Sequence, residues 1–378
     1  MILGGAQENT LLTCEGLHRL GHEVTLITGP PRGPEGELMS RAMRGGYQVI
    51  VLPDLVRPLH PWSDLRAYRR LVRLLRELRP EVMHSHSSKA GILARRAAAK
   101  VGGIKIVHTI HGLPFHPYQS WLARRLYVSL ERRAAAVSDA LVSVADAMTA
   151  HALAAGVGRP GQFTTIYSGM EVWQFIPRPA EADQWRSAMG LSTEDVLFTQ
   201  VSRLAELKGH QYILEAAERL DDPRIHFCFV GDGHYRRRIE ADIARRGLQR
   251  RLHLTGLLPP AQIPAILHAS DALVHCSLRE GLARALPQAM LAGLPVISFD
   301  VDGAREVVSP STGILLAPRD VAGLAAAIRT LAGSADLRRR LGQAGRELCR
   351  TMFDHRRMVQ QIEALYRHLL GASVRVLA

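Results

Sequence analysis

Glu280 and Gly281 lie between an apolar stretch and a short predicted helix. Of all the residues in the sequence, these two are the strongest candidates for binding a ligand. Gly281 lets backbone N–H groups approach a ligand closely, and the first turn of the next helix offers unpaired N–H donors to a phosphate. The Glu280 carboxylate can accept hydrogen bonds from sugar hydroxyls. The segment therefore predicts a sugar-nucleotide site, although an ordinary strand, turn and helix of a parallel sheet has the same pattern.

Two cations follow an apolar run earlier in the same half of the chain. Arg203 and Lys208 come directly after residues 196–201, five positions apart. On a strand-to-helix loop their side chains can converge on one diphosphate and stabilise the charge that develops as it departs. An Arg and a Lys in a loop are more often exposed surface charges, so this assignment depends on their position after the strand.

Histidines end two of the predicted strands. His111 precedes Gly112 at the carboxyl end of a strand, where open parallel sheets bind their ligands, and this placement singles it out among 17 histidines. His84 and His86 also lie at a strand end. Their side chains either line the binding site of a second substrate, the acceptor of the sugar, or hydrogen-bond the backbone. A spacing of two does not make a metal site without a partner carboxylate, so no metal site is predicted.

Short apolar runs alternate with helical segments, which predicts parallel sheets with crossover helices. The second half repeats the scheme of the first, so we expect an α/β protein of two Rossmann-like units with a boundary after Glu171. From Asp320 to about Leu370 the pattern is helical. The predicted strands are residues 22–28, 47–52, 82–85, 105–110, 140–144, 196–201, 226–230, 252–255, 272–276 and 296–299.

The beginning of the sequence departs from this scheme. Gly4 and Gly5 form a glycine pair of the kind that follows the first, central strand of a doubly wound sheet, yet only three residues precede it. Such strands usually have about five or six residues. We therefore expect the first strand to be missing or truncated, either because the true start lies upstream or because the product is damaged. Its absence would leave two interior strand edges unpaired.

These residues together resemble the retaining glycosyltransferases of family four, also called glycosyl transferases group 1, in their order and approximate spacing. The resemblance covers nearly the whole chain and implies the GT-B fold, in which two Rossmann-like domains face each other. It places an acceptor-binding domain at residues 1–172, a donor-binding domain at 173–352, and a final helix at 353–378 that crosses back to the first domain. The matching features are Gly4-Gly5, His111, Ser168-Gly169-Met170-Glu171, Arg203 with Lys208, Glu280 and Gly293-Leu294-Pro295.

The resemblance also implies an activity. A sugar would pass from a nucleoside-diphosphate sugar to a glycan or lipid-linked acceptor, with retention of configuration, in a cleft between the domains. Two cations would replace a divalent metal, so neither metal nor cofactor is implied, and we assign no nucleophile. The implied catalytic residues are Glu280, His111, Arg203 and Lys208. The implied donor-binding residues are Gly4, Gly5, Gly231, Gly281, Leu282 and Gln288.

One position departs from the family pattern. The family has a second Glu eight residues after the first, which accepts hydrogen bonds from both ribose hydroxyls; here the position holds Gln288. Its amide has one carbonyl acceptor and a donor group, so weaker ribose binding is expected. A non-catalytic binding or scaffold subunit therefore stays an alternative. A phosphorylase or a nucleotide-sugar epimerase would share the fold, whereas a dehydrogenase is disfavoured because no Gly-x-Gly-x-x-Gly follows an opening strand.

The composition is that of a globular protein large enough for two cores. The chain has 378 residues, of which 47% are hydrophobic and 22% charged. It has neither an apolar run of about 18 residues nor a secretion signal pattern, which predicts a cytoplasmic location. Its four cysteines are scattered and are expected to be reduced thiols.

Basic residues outnumber acidic ones by 48 to 35, a net charge of +13, and the excess is clustered on three predicted helices. Clustered basic helices favour an anionic partner such as a membrane surface or a lipid-linked phosphate, although a charge run is often only a solvated face. Nucleic acid is disfavoured because no aromatic residues are interleaved. We therefore expect peripheral attachment at the inner face of the cell membrane. The three clusters are Arg66, Arg69, Arg70, Arg73, Arg76 and Arg79; Lys89, Arg95, Arg96 and Lys100; and Arg124, Arg125, Arg132 and Arg133.

Overall fold

Parallel strands and the helices between them build both halves of the protein. The computed structural model describes residues 4–30, 38–56 and 58–371. Within these ranges all paired strands run parallel, so the predicted α/β architecture is confirmed. The chain is divided into two compact units. Residues up to Met170 and from His355 onward form the first, and Glu171–Asp354 form the second.

In its described residues, the first unit holds a two-stranded sheet, β1-β2, and a four-stranded sheet in the order β3-β4-β5-β6. The strands are β1 (Thr25–Thr28), β2 (Gln48–Val51), β3 (Val82–His86), β4 (Lys105–Ile110), β5 (Ala140–Ser143) and β6 (Phe163–Thr165). The helices are α1 (Gly5–Arg19), α2 (Met39–Met43), α3 (Pro61–Leu78), α4 (Ser88–Val101), α5 (Trp121–Ala136) and α6 (Asp146–Ala154).

The first strand is expected to be missing or truncated, and the three residues that precede the glycine pair, 1–3, lie outside the described residues, so this expectation stays a prediction. Gly4 directly precedes α1 and Gly5 is its first residue, so the glycine pair lies at the start of a helix. Val24, next to β1, and Val82 of β3 pack against the same apolar cluster as Leu12 and Leu17 of α1. Helix α1 therefore joins the two sheets of this unit through side-chain packing.

The second unit has one six-stranded sheet in the order β12-β11-β10-β7-β8-β9 within the described residues. Its strands are β7 (Val196–Val201), β8 (Ile225–Val230), β9 (Leu252–Gly256), β10 (Ala272–His275), β11 (Val296–Phe299) and β12 (Gly313–Leu316). Its helices are α7 (Glu181–Ala188), α8 (His210–Glu218), α9 (Arg236–Arg245), α10 (Ile263–Ala269), α11 (Ala285–Leu291), α12 (Val321–Ala332) and α13 (Ala335–Met352).

The strand order gives this sheet a switch point between β7 and β10. From β7 the chain moves to β8 on one side, and from β10 it moves to β11 on the other. The loops that follow these two strands therefore diverge, and open α/β sheets bind ligands in the crevice formed in this way. The sequence did not predict β6 and β12. Both are short, and a turn precedes β12 at residues 309–312.

Helix α14 (His355–Leu369) packs on the first unit. Its buried residues Met358, Val359 and Ile362 join the apolar cluster under α1. The two helices approach closely because Gly16 has no side chain there; a Cβ at that position would overlap Val359. The Tyr366 hydroxyl also hydrogen-bonds the His84 ring.

The predicted basic cluster on α4 is exposed only in part: Arg96 and Lys100 are exposed, whereas Arg95 and Lys89 are not. Arg95 has 0% exposed side chain and pairs with Glu131 of α5 at 2.7 Å. Lys89 is partly buried and donates to the backbone carbonyls of Val56 and Pro58. A buried charge requires a partner, and these two residues have found theirs within the fold. The spacing of basic residues in the sequence shows how many charges α4 carries. It does not show which of them lie on the buried face of the helix.

Candidate functional site

The loops after β7 and β10 are joined at the switch point. The Leu278 N–H donates to the Leu207 carbonyl at 2.8 Å, and the Ser277 hydroxyl donates to the same oxygen at 3.1 Å. Gly209 has a φ of +72°, and a Cβ there would overlap the Cys276 carbonyl. Only glycine fits such a close approach without strain. The two loops that carry the predicted cations and carboxylate therefore form one rigid structure.

This structure brings Lys208 and Glu280 together. Lys208 Nζ lies 2.5 Å from Glu280 Oε1, and the two side chains are 27% and 18% exposed. His275, the last residue of β10, places Nε2 3.2 Å from the same oxygen. Glu280 Oε2 accepts no hydrogen bond from the described ranges, so it keeps its capacity to accept one from a ligand hydroxyl.

The pKa of the Glu280 carboxyl lies well below its usual range. Burial alone would raise this pKa, but the charge of Lys208 and the nearby His275 ring outweigh burial and lower it. Glu280 is therefore ionised at neutral pH. An ionised carboxylate accepts hydrogen bonds and cannot act as a general acid, so the site suits the binding of sugar hydroxyls.

The other predicted residues of the second unit lie on the loops that follow β7 and β8, on the segment that leads into α11 and on α11 itself. Arg203 is exposed and begins the same loop as Lys208. Gly231 lies against the backbone of Ser202, and its φ of +135° is a conformation that glycine adopts readily. The turn after β8 is thereby held next to the loop after β7.

The start of α11 carries the remaining predicted donor residues. Gly281 and Leu282, just before α11, are both buried. Gln288 is partly buried in α11, and in the described part of the chain its side-chain amide has no hydrogen-bond partner. A partly buried amide without a protein partner is available to a ligand.

Sequence reasoning missed two residues of the site, His275 and Asp302. His275 meets the criterion that singled out His111, a histidine at the end of a strand. Asp302 follows β11 and accepts a hydrogen bond from the Glu280 backbone N–H at 2.7 Å. No motif marks Asp302, because its contact joins residues that are 22 positions apart.

His111 lies in the first unit, together with Gly4 and Gly5. Its Nε2 is 3.0 Å from Nδ1 of His86, and the His86 ring also stacks on His84 with 4.4 Å between ring centroids. Burial lowers the pKa of His86 to about 4, so its imidazole is neutral at pH 7. A neutral ring donates through one nitrogen and accepts through the other, so the bond ties the tautomer of His86 to that of His111.

Comparison with known proteins agrees with these features. The model of the family described as Glycosyl transferases group 1 matches residues 181–348, and that of the Glycosyl transferase 4-like domain matches residues 4–169. A 2-deoxystreptamine glucosyltransferase of Streptomyces kanamyceticus is 30% identical over 300 residues, covering 76% of this chain and 77% of that protein. The chain belongs to the group 1 glycosyl transferases. The predicted family is confirmed, and the protein is a glycosyltransferase.

Two further comparisons place this glycosyltransferase among its relatives. The UDP-Gal:alpha-D-GlcNAc-diphosphoundecaprenol alpha-1,3-galactosyltransferase of Escherichia coli is 29% identical over 326 residues, covering 85% of this chain and 82% of that protein. The structure of Anabaena HepE in complex with UDP-glucose has a TM-score of 0.82 and 21% identity, covering 97% of each chain. The latter likeness confirms the predicted GT-B fold.

Proposed function

We propose that this glycosyltransferase moves a sugar from a uridine-diphosphate sugar to a lipid-linked acceptor, with retention of anomeric configuration. The observation that carries the proposal is the Lys208–Glu280 pair at the switch point of the second unit. It sets a cation suited to a diphosphate beside a carboxylate suited to sugar hydroxyls. The relatives support both substrates, since one acts on a diphosphoundecaprenol acceptor and one structure holds UDP-glucose.

In the proposed reaction, Arg203 and Lys208 bind the diphosphate of the donor and stabilise the charge that grows on it as the glycosidic bond breaks. Glu280 accepts a hydrogen bond from a sugar hydroxyl through Oε2 and orients the ring. The departing phosphate oxygen takes the proton of the acceptor hydroxyl, so the protein supplies no nucleophile. The two cations perform the charge neutralisation that a divalent metal performs in other transferases, and we propose that this reaction requires neither a metal nor a cofactor.

The nucleotide is tested by calorimetric titration of the purified protein with UDP, GDP and ADP. We expect saturable binding of UDP with a Kd between about 1 µM and 1 mM, the usual range for such substrates. Gln288→Glu should tighten UDP binding about fivefold, because a carboxylate makes stronger hydrogen bonds to the ribose hydroxyls than an amide does. Tighter binding of GDP or ADP would contradict the uridine assignment, and an unchanged UDP affinity in Gln288→Glu would remove residue 288 from the ribose site.

The acceptor is tested by incubation with a UDP-sugar and a lipid-linked diphosphate sugar. Transfer is expected to give a product whose anomeric configuration, read from the proton coupling constant in NMR spectra, equals that of the donor. An inverted product would contradict the retaining mechanism. Transfer to a free sugar but not to the lipid-linked form would contradict the proposed acceptor.

We further propose that the first unit docks on an anionic membrane surface, where a lipid-linked acceptor resides. Helix α3 exposes Arg66, Arg69, Arg70, Arg73 and Arg76 along one face, and α5 exposes Arg124 and Arg125. The first two turns of α5 also expose three apolar side chains, Trp121, Leu122 and Leu126. An exposed Trp beside arginines suits the lipid headgroup region. Among the described residues, no helix is long and apolar enough to cross a membrane.

Removing the exposed Trp of α5 should weaken membrane binding. Trp121→Ser is expected to lower binding to vesicles of anionic lipid at least fivefold, since the indole loses its contact with the headgroup region. Trp173→Ser is the matched control, because Trp173 of the second unit is 62% exposed and Trp121 is 63% exposed. Vesicle co-sedimentation at low and high salt measures the effect. Equal binding to neutral and anionic vesicles, or an equal loss in both variants, would contradict the proposed surface.

A further inference from the structure

Asp302 has an unusual backbone conformation beside the candidate site. Its φ is +49°, in the left-handed region that side chains other than glycine seldom adopt. Asp and Asn tolerate this region better than other residues, yet glycine adopts it without strain. The turn alone would therefore be made most easily by glycine, and the carboxylate of Asp302 requires another explanation.

The carboxylate holds the loop that carries Glu280. Oδ2 of Asp302 accepts the Glu280 backbone N–H at 2.7 Å, and the next residue, Gly303, donates its N–H to the Gly281 carbonyl at 3.0 Å. Strands β10 and β11, which precede these two loops, are neighbours in the sheet. Two consecutive residues after β11 thus fix two consecutive residues after β10.

Strained backbone persists where the surrounding structure over-determines it, and such residues cluster at functional sites. Here the strained residue touches the backbone of Glu280, whose side chain already contacts Lys208 and His275 through Oε1. With the backbone held from one side and Oε1 from the other, the orientation of the Glu280 carboxylate is fixed before a ligand arrives.

We propose that Asp302 is a positioning residue, which holds the Glu280 backbone so that the Oε2 atom of Glu280 is available to the donor sugar. This proposal rests on the donor site described under the proposed function. Asp302 acts through Glu280 and makes no contact with substrate in the proposed arrangement. Its loss should therefore lower turnover more than donor binding, which depends on the two cations.

Three variants separate positioning from turn formation. Asp302→Gly keeps the left-handed turn and removes the acceptor, whereas Asp302→Asn keeps a side-chain acceptor and tolerates the same conformation. Arg319→Gly is the matched control, since Arg319 of the second unit also has a positive φ, of +71°, and precedes α12 rather than the donor site. The readouts are kcat, the donor KM, the melting temperature, and hydrogen exchange of the Glu280 amide by mass spectrometry.

For Asp302→Gly we expect kcat to fall about tenfold, as the loss of one good hydrogen bond would cause, with donor KM changed less than about twofold. The Glu280 amide should exchange at least tenfold faster, and the melting temperature should change little, because relief of the strained backbone offsets the lost hydrogen bond. Asp302→Asn should restore kcat and amide protection to within about threefold of the wild type. Arg319→Gly should leave kcat and the Glu280 amide unchanged.

Wild-type amide exchange or wild-type kcat in Asp302→Gly would overturn the proposal, as would a failure of Asp302→Asn to restore either. The exchange measurement requires no substrate. If the wild-type protein transfers no sugar while Asp302→Gly still loses protection and Asp302→Asn regains it, the proposed reaction fails and the fixing of Glu280 by Asp302 stands.

Discussion

Replacing Glu280 with glutamine is expected to lower turnover roughly a thousandfold, the size of effect seen when one well-placed polar group of an active site is removed. Glutamine keeps the shape of the side chain but not its charge, so Lys208 loses the partner that lies 2.5 Å away. Its amide also loses one of the two acceptor oxygens. UDP affinity should change less than about threefold, because in the proposed reaction Arg203 and Lys208 bind the diphosphate.

The measurement is steady-state kinetics with a UDP-sugar, together with calorimetric titration of UDP. Glu240→Gln is the matched control, since Glu240 also belongs to the second unit and also pairs with a cation, Arg236, at 2.8 Å. It should keep turnover within about twofold of the wild type. Turnover above a tenth of the wild-type value in Glu280→Gln would remove Glu280 from the proposed site.

Replacing Lys208 with alanine is expected to lower both UDP affinity, about tenfold, and turnover, at least a thousandfold. In the proposed reaction the ammonium group contacts the diphosphate of the bound donor, and it interacts more strongly as negative charge develops on the departing diphosphate. The variant also leaves the buried Glu280 carboxylate without its closest cation. A lower melting temperature is therefore expected, because a partly buried charge that loses its partner destabilises the fold.

The double variant Lys208→Ala with Glu280→Gln separates these two effects. Removing the carboxylate charge should recover part of the lost melting temperature without recovering turnover, which is a non-additive result in a double-mutant cycle. Lys105→Ala provides a control, since Lys105 is an ion-paired lysine of the first unit, 3.4 Å from Asp139. A chelator should leave wild-type turnover unchanged. Loss of turnover on chelation, or additive effects in the cycle, would contradict the assigned role of Lys208.

Several of these residues could be identified from the sequence, because their types and positions relative to strands carry the information. Glu280 follows a strand and precedes a glycine and a helix, and Lys208 lies in a loop after another strand. Their contact could not be predicted in the same way. It depends on β7 and β10 being neighbours in the sheet, and 70 residues separate these strands in the chain. Asp302 was missed for the same reason.

The basic residues show a different limit of sequence reasoning. Arg95 and Arg96 are adjacent in the chain, yet Arg95 is buried against Glu131 and Arg96 is exposed. On a helix, neighbours point about 100° apart, so one residue can face the core while the next faces solvent. The face that is buried depends on how α4 packs against α5, and charge counting does not reveal it.

The placement of α14 on the first unit has a consequence for the order in which the protein folds during synthesis. The second unit is one continuous segment, Glu171–Asp354, and its whole chain is synthesised before α14 is made. The first unit, although its chain is synthesised first, has to wait with the apolar side chains of Leu12 and Leu17 uncovered until Met358 and Ile362 arrive. We therefore expect the unit that is translated first to reach its native state last, and nascent chains stalled before His355 to be the form that chaperones bind.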